Sequence, residues 1–273
     1  MDIGGLILDQ LISEDENGEI PICPDCGKPK KMRLNIGGKM RTVGISCDCT
    51  ERLIAEQKAQ QKRDERRMAI DRFLAELDEC GALDKGFSQT FAQDDAPGSD
   101  AGRAARKYCD RFDEFSRDGI GILFGGGVGT GKTFYAACIA NELAKHGRFV
   151  IMTSLQSIAS AMSKDFGEKR ARVLHGIRAC DLLVLDDLGA ERNTEYMQEQ
   201  SYEVVNERYK TGKPMIVTTN LSAAEINNAD SVMTRRICER VRERCKPVKM
   251  LGISRREAGK QNTEERWNEL MRD

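Results

Sequence analysis

Five short apolar runs punctuate the chain from residue 120 onward, and most end beside a polar residue. They cover Ile120–Phe124, Phe149–Thr153, Asp181–Asp186, Pro214–Thr219 and Pro247–Leu251. Runs of this length, separated by longer stretches with helical spacing, predict strands that alternate with helices. Such alternation is typical of an α/β fold, in which a mostly parallel sheet has helices on both faces and ligands bind at the carboxyl ends of the strands.

The chain before these strands has a different pattern. Residues 51–80 are dense in charge, and their apolar residues at helical spacing come only toward the end: Ile70, Phe73, Leu74 and Leu77. We expect a helix that is solvated at its start and packed at its end. A second helix is predicted from Arg103 to Phe115. The pattern indicates an N-terminal module over 1–50, a charged helical linker over 51–84 and a larger α/β domain over 85–273.

Composition narrows the class of protein. The chain of 273 residues carries 43 basic and 44 acidic side chains, so no global field favours nucleic acid or membrane. No apolar run has the length of a membrane-spanning helix, and the first residues lack the pattern of a signal peptide. We expect a cytoplasmic protein whose ten cysteines are thiols or metal ligands rather than disulfides.

The first apolar run leads into a glycine-rich loop, Gly126-Gly127-Val128-Gly129-Thr130-Gly131-Lys132-Thr133. This spacing matches the P-loop, in which glycines let successive backbone N–H groups face a phosphate. Lys132 would face the β- and γ-phosphate oxygens, and the Thr133 hydroxyl would bind Mg²⁺. A plain glycine turn is the alternative, but strand, loop and helix follow in the order that a phosphate site requires. We therefore predict a site for ATP and Mg²⁺, with a helix from Lys132 to Lys145.

Polar residues at the ends of two later strands complete a candidate catalytic site. Asp186 and Asp187 end a strongly apolar strand, where Asp186 is the candidate magnesium ligand and Asp187 the group that polarises the attacking water. Asn220 follows the next strand and could orient that water. The alternatives are solvated aspartates at a strand end and an Asn that opens a turn.

A cationic helix follows, over residues 234–245. Ile237, Val241 and Cys245 are spaced as a buried seam, and arginines flank it. One of these, Arg236, Arg240 or Arg244, could reach the γ-phosphate of a neighbouring subunit as an arginine finger. The alternative is a solvated Arg/Glu helix.

Four cysteines near the N-terminus predict a metal site. Cys23 and Cys26 form a C-x-x-C pair, and Cys47 and Cys49 form a C-x-C pair after a predicted hairpin that turns at Gly37-Gly38. Four thiolates are the closed ligand set of a structural Zn²⁺, as in a zinc ribbon. A redox pair and unrelated thiols are the alternatives. The basic residues of this module suit nucleic acid, an acidic protein partner or a solvated face: Lys28, Lys30, Lys31, Arg33, Lys39 and Arg41.

Taken together, these motifs over roughly residues 85–256 resemble the AAA+ ATPases of the DnaC/DnaI helicase-loader group, of which the IstB transposition helpers are close relatives. The cysteine module is similar to that of DnaI-like and prophage loaders. The resemblance implies a sheet order of 5-1-4-3-2, Mg-ATP hydrolysis, self-assembly through an arginine finger at Arg240 and contact with single-stranded DNA. It also implies that the N-terminal module grips a hexameric replicative helicase, and that Arg255 or Arg256 senses nucleotide. Many AAA+ members carry Glu at the position of Asp187.

Three functions fit these features to different degrees. A helicase loader is favoured, and a transposition helper shares the ATPase core but not the cysteine module. A small-molecule P-loop kinase belongs to another class and would need a substrate lid rather than Asn220 and an arginine from a second subunit. A purely structural zinc adaptor would leave the P-loop unexplained.

Overall fold

The fold is that of a computed structural model, which describes residues 20–84, 86–163, 167–189, 194–227, 231–251 and 266–271. The chain forms two compact units, Met1–Met68 and Ala69–Asp273. The predicted nucleotide-sensing residues Arg255 and Arg256 lie outside the described residues.

The first unit contains an antiparallel hairpin of β1 (Lys31–Ile36) and β2 (Lys39–Gly44). Gly37 and Gly38 join the strands with φ angles of 62° and 79°. Two successive positive φ angles form the tight turn that matches the twist of a hairpin, and glycine adopts them without steric cost. The predicted hairpin and its turn are confirmed.

A single long helix, α1 (Asp48–Glu79), begins in the first unit and ends in the second. Its early turns are exposed, whereas Ile70, Phe73, Leu74 and Leu77 pack against the core of the second unit. This contact is close, because a Cβ added at Gly176 would lie 2.8 Å from Cε1 of Phe73. The predicted change from a solvated to a packed helix is confirmed.

The second unit is built on a five-stranded sheet in which every described pairing is parallel. Its strands are β3 (Gly121–Gly126), β4 (Val150–Ser154), β5 (Leu182–Leu188), β6 (Met215–Thr219) and β7 (Cys245–Met250). They lie in the order β4-β5-β6-β3-β7. Counted from the first strand of the unit and taken from the β7 edge, this is 5-1-4-3-2, so the AAA+ order is confirmed.

In the part of the chain that the structure describes, further α-helices connect and cover these strands. They are α2 (Asp100–Asp110), α3 (Phe112–Asp118), α4 (Lys132–Lys145), α5 (Leu155–Ser163), α6 (Glu168–Ala179), α7 (Glu195–Lys210), α8 (Ala223–Asn227) and α9 (Val232–Arg244). The predicted P-loop helix has the bounds of α4. The single helix predicted over Arg103–Phe115 is wrong, because the backbone leaves the helical region at Arg111 (φ −116°, ψ 26°) and separates α2 from α3.

Apolar side chains fill both faces of the sheet. Leu183, Leu185 and Val217 belong to one cluster, whereas their neighbours Leu182 and Val184 belong to the other. This alternation follows from the two-residue period of a strand, and a parallel sheet is buried on both faces. The polar residues of the candidate site are therefore confined to the strand ends.

One buried charge stabilises the opposite end of the sheet. Arg208 in α7 is fully buried, and its guanidinium donates hydrogen bonds to the backbone carbonyls of Ile177, Cys180, Asp181 and Pro214 at 2.6–3.1 Å. The fork of five N–H donors suits several carbonyls at once. Arg208 thus joins the end of α6 to the starts of β5 and β6.

Within the described part of the chain, no helix has the length and apolar character needed to cross a bilayer.

Candidate nucleotide and metal sites

The glycine-rich loop joins the end of β3 to the start of α4, as a P-loop requires. Gly131 precedes the helix with φ 94°, a left-handed conformation that favours glycine. Gly126 lies so close to β7 that a Cβ would approach the Met250 carbonyl oxygen to 2.4 Å. These glycines therefore let the loop turn tightly between a central strand and a helix N-terminus, where backbone N–H groups and the helix dipole favour phosphate.

Lys132 closes this loop from the first turn of α4. Its side chain is buried, and Nζ donates hydrogen bonds to the carbonyl oxygens of Gly126 at 3.0 Å and Gly127 at 2.7 Å. A buried cation is stabilised by such oxygen acceptors, and phosphate oxygens would be stronger ones. The ammonium group thus lies across the loop that its sequence motif assigns to phosphate.

The two candidate magnesium ligands meet directly. The Thr133 hydroxyl lies 2.9 and 3.1 Å from the two carboxylate oxygens of Asp186, although 53 residues separate them along the chain. Burial raises the pKa of Asp186; hydrogen bonds from Thr218 and Thr133 lower it, while the charges of Asp187 and Asp84 raise it further. A desolvated carboxylate beside a hydroxyl is a donor set of hard oxygen atoms, which Mg²⁺ prefers. These residues therefore fit the ion.

Asp187 and Asn220 form a second pair at the same edge of the sheet. The Asn220 side-chain amide donates a hydrogen bond of 2.9 Å to Oδ1 of Asp187, and both residues are exposed. The Asp187 carboxylate is thus oriented and open to water, as the predicted role requires. Sequence reasoning missed the buried Thr218, whose only signal was its place in the polar Thr218-Thr219 end of an otherwise apolar strand.

The arginines of α9 lie in different environments. The Arg240 guanidinium donates to Oδ1 of Asn206 at 3.1 Å and to the Tyr202 hydroxyl at 3.0 Å, and it stacks over the rings of Tyr202 and Tyr209. Arg236 is exposed, and none of the described residues accepts a hydrogen bond from its side chain. The isolated chain therefore holds Arg240 against α7 and leaves Arg236 in solvent.

The four N-terminal cysteines converge on one point. The Sγ atoms of Cys23, Cys26, Cys47 and Cys49 all lie within 4.8 Å of one another. Tetrahedral bonds of about 2.3 Å to zinc would bring such sulfur atoms to roughly 3.8 Å, so a small inward shift suffices. Hydrogen bonds from the Thr50 side chain and backbone lower the pKa of Cys47 to about 6, whereas burial and the neighbouring cysteines raise the pKa of Cys26 and of Cys49. The four thiols therefore share protons unequally without metal, and zinc would bind the thiolate form of each.

Local backbone geometry supports the first cysteine pair. The amide of Cys23 donates to the carbonyl oxygen of Lys28, and the amide of Gly27 donates to that of Cys23, both at 2.8 Å. This turn holds the C-x-x-C pair on one side of the cluster. Over the residues that the structure describes, no other group of three or more His, Cys, Asp or Glu side chains could hold a metal. These cysteines fit Zn²⁺ with no position left open for water.

Comparisons with known proteins show the family to which the chain belongs. The family model for IstB-like ATP binding proteins matches residues 41–263. Replicative helicase loader DnaC of Escherichia coli (strain K12) is 32% identical over 143 residues, which are 51% of this chain and 54% of that protein. Phage-like element PBSX protein XkdC of Bacillus subtilis (strain 168) is 28% identical over 149 residues, 51% of this chain and 55% of that protein.

The alignments and the fold define the extent of the similarity. The chain spans about half the length of the curated relatives that it matches. Among solved structures, the crystal structure of DnaI superposes with a TM-score of 0.51 at 24% identity, covering 60% of this chain and 92% of that one. That likeness concerns the fold, and it agrees with the AAA+ strand order.

Proposed function

Because the chain belongs to the family of IstB-like ATP-binding proteins, we propose that it is an ATP-controlled loader that places a hexameric replicative helicase on DNA. The observation that carries this proposal is the contact between Thr133 and Asp186 at the end of the glycine-rich loop that Lys132 closes, in a chain that also has a four-cysteine module. Similarity to a replicative helicase loader over about half of the chain supports the choice of partner.

Each residue of the site has a distinct task in ATP hydrolysis. Lys132 and the loop amides would bind the β- and γ-phosphate oxygens, while Thr133 and Asp186 would hold the magnesium ion. Mg²⁺, when bound, neutralises charge on the phosphate oxygens. Asp187 polarises the attacking water, and Asn220 keeps that carboxylate oriented through the hydrogen bond between them. Hydrolysis then serves as an assembly switch.

Self-assembly would complete the site through an arginine from a second copy. Arg240 is the proposed finger, and its contacts with Asn206 and Tyr202 are made within one chain. In this proposal, binding of a neighbouring subunit's ATP draws Arg240 away from α7. Contact with single-stranded DNA is proposed from the loader resemblance.

The cysteine module is the proposed grip for the helicase. Met32 and Leu34 are exposed apolar side chains on one face of β1, and the basic Arg33 lies on the other face. In this proposal the four thiolates would hold zinc, which would close the module, and one of these hairpin faces would contact the partner.

The first test concerns nucleotide. Lys132→Ala should abolish ATP hydrolysis and weaken ATP binding, because the charge that faces the β/γ oxygens is lost. Lys145→Ala, which removes another lysine of α4 from an exposed ion pair with Glu142 at the far end of that helix, is the matched control. Hydrolysis at the parent rate by Lys132→Ala would show that the P-loop is not the catalytic site.

The second test concerns the partner. A pull-down from the source cell should recover a hexameric helicase with the wild-type chain and with Lys132→Ala, but not with the Cys26→Ser/Cys49→Ser variant. Helicase recovery by the zinc-free variant at the wild-type level would rule out the grip.

A transposition helper is the second candidate, because the matching family model is that of the IstB-like proteins. The match begins at residue 41, so Cys23 and Cys26 lie outside it. A helper of this kind would recover a transposase rather than a helicase in the same pull-down, and the recovery would not depend on zinc.

A further inference from the structure

The strand that carries the two candidate catalytic carboxylates is irregular at that point. β5 and β6 pair in register up to Leu185, which lies opposite Val217, but the next pair is Leu188 with Thr219. Asp186 and Asp187 therefore share one position on the partner strand, that of Thr218. Such a β-bulge bends the strand and redirects a side chain, and bulges are enriched beside active sites.

The bulge has an unusual backbone conformation. Asp187 has φ 60°, and among the described residues it is the one non-glycine with a positive φ. Asp and Asn tolerate this left-handed region better than longer or branched residues, because their short side chains bond locally. Here the Asp187 carboxylate accepts the Asn220 amide at 2.9 Å. The conformation is held by specific contacts.

A single hydroxyl joins the two halves of the bulge. Thr218 Oγ1 donates a hydrogen bond of 2.6 Å to Oδ1 of Asp186 and accepts one of 2.9 Å from the backbone amide of Asp187. A hydroxyl has one donor and two acceptor sites, so it satisfies both partners at once. Thr218 is fully buried.

We propose that Thr218 is a positioning residue that holds Asp186 at the magnesium ion and Asp187 at the attacking water. The inference rests on the proposed Mg-ATP site. On a regular strand, successive side chains point to opposite faces of the sheet. In the bulge, both carboxylates lie at the same edge of the sheet: Asp186 contacts Thr133 at the start of α4, and Asp187 contacts Asn220 beyond β6. The Thr218 hydroxyl, which bonds both residues, holds the two carboxylates in these separate positions.

The same geometry explains the residue at 187. Many AAA+ proteins carry Glu here, and a longer side chain has a longer reach toward water. At φ 60° the bulge favours Asp, and the Asn220 contact fits the short carboxylate. We therefore infer that Asp187→Glu lowers turnover rather than raising it.

Thr218→Val tests the positioning role, because it removes the hydroxyl and keeps the branched shape. Thr218→Ser restores the hydroxyl. Thr219→Val is the matched control: Thr219 is equally buried on the same strand, but its hydroxyl donates to the Leu188 carbonyl oxygen at 2.7 Å. The readouts are the affinity for a fluorescent ATP analogue with Mg²⁺ and with EDTA, the kcat for ATP and the thermal midpoint.

Thr218→Val should lose roughly tenfold or more of the Mg²⁺-dependent gain in affinity and of kcat, as is usual when a residue supporting a metal ligand is removed. Its affinity in EDTA should stay within about twofold, since the P-loop is untouched. Thr218→Ser should recover most of both losses. Thr219→Val should lower the thermal midpoint as much as Thr218→Val does, yet keep the Mg²⁺ dependence.

Two results would overturn the positioning role while leaving the proposed function intact. One is an unchanged Mg²⁺ dependence in Thr218→Val; the other is an equal loss in Thr219→Val, which would indicate a general effect of a buried hydroxyl. If Thr218→Val does not fold, Asp187→Glu tests the same bulge, and a kcat above that of wild type would contradict it. A wild-type chain that binds no nucleotide would instead refute the proposed function itself, and the positioning role with it.

Discussion

Different interactions stabilise each of the two units of this chain. Where side chains of residues 20–68 are described, Cys23 and Cys47 are the buried ones, and large apolar residues such as Ile22 and Leu34 stay exposed. The second unit instead has two apolar clusters, one on each face of its sheet. We therefore expect the first unit to depend on a bound ion for its folding, whereas the second unit has its own apolar core, with the proposed ligand site at the strand ends.

Of the changes that distinguish the two units, zinc removal should have the largest effect on stability. Replacing Cys26 and Cys49 with Ser removes two of four ligands, and binding of structural zinc contributes on the order of 10 kcal/mol to folding. We expect the backbone amides of residues 20–47 to lose their protection from hydrogen exchange, while the second unit stays folded. Metal analysis should find one zinc per wild-type chain and none in the variant.

The control for this experiment is Cys80→Ser, a buried cysteine outside the cluster. It should keep its zinc and its protected hairpin. A protected hairpin in the metal-free double variant would contradict the dependence of the first unit on metal.

Arg208→Met should instead destabilise the second unit and leave the first unit unchanged. The substitution leaves four backbone carbonyls without their charged donor, at a cost of about 3 kcal/mol or more. In a unit of this size that corresponds to a fall in thermal midpoint of roughly 10 °C. Zinc content should not change.

Arg178→Met is the matched control, because Arg178 forms an exposed ion pair of 3.0 Å with Glu207. Such a pair contributes about 0–1 kcal/mol. Equal thermal midpoints for the Arg208 and Arg178 variants would mean that the buried guanidinium is dispensable.

Arg240→Ala separates catalysis from folding within the second unit. We expect turnover to fall by about tenfold or more, because a finger stabilises charge in the transition state, while nucleotide binding stays nearly intact. Mixing with Lys132→Ala subunits should restore part of the activity, since one variant supplies the finger and the other the intact pocket. Arg236→Ala is the comparison, and rescue seen only with that variant would transfer the role to Arg236.

Asp186→Asn should change the thermal midpoint least, and the direction of that change is informative. Burial raises the pKa of Asp186, so the ionised form destabilises the metal-free fold at neutral pH. This penalty is present above the folded pKa and disappears as the pH falls through it. We expect the variant to melt above wild type at pH 7, the difference to shrink in acid, and Mg²⁺-dependent ATP binding to weaken. A lower midpoint at pH 7 would contradict this.

Much of the fold could be predicted because its elements have simple signals. The strand Leu182–Leu188 is a buried apolar run, and the turn at Gly37-Gly38 requires positive φ angles. The bulge at Asp187 could not be predicted, because it arises from pairing with Thr218, a residue 31 positions away. Arg208 was missed for a similar reason: in sequence it lies on a helix rich in Glu, and its carbonyl acceptors come together only in the folded unit.

The proposed function requires ATP turnover at the carboxyl edge of the sheet. The most direct measurement compares ATP binding and hydrolysis by wild type and Asp187→Asn, because Asn suits the same backbone conformation and removes only the charge. We predict that the variant binds Mg-ATP within about threefold of wild type and hydrolyses it about a hundredfold more slowly. Hydrolysis by Asp187→Asn at the wild-type rate, or an equal loss of binding and turnover, would contradict the proposed site.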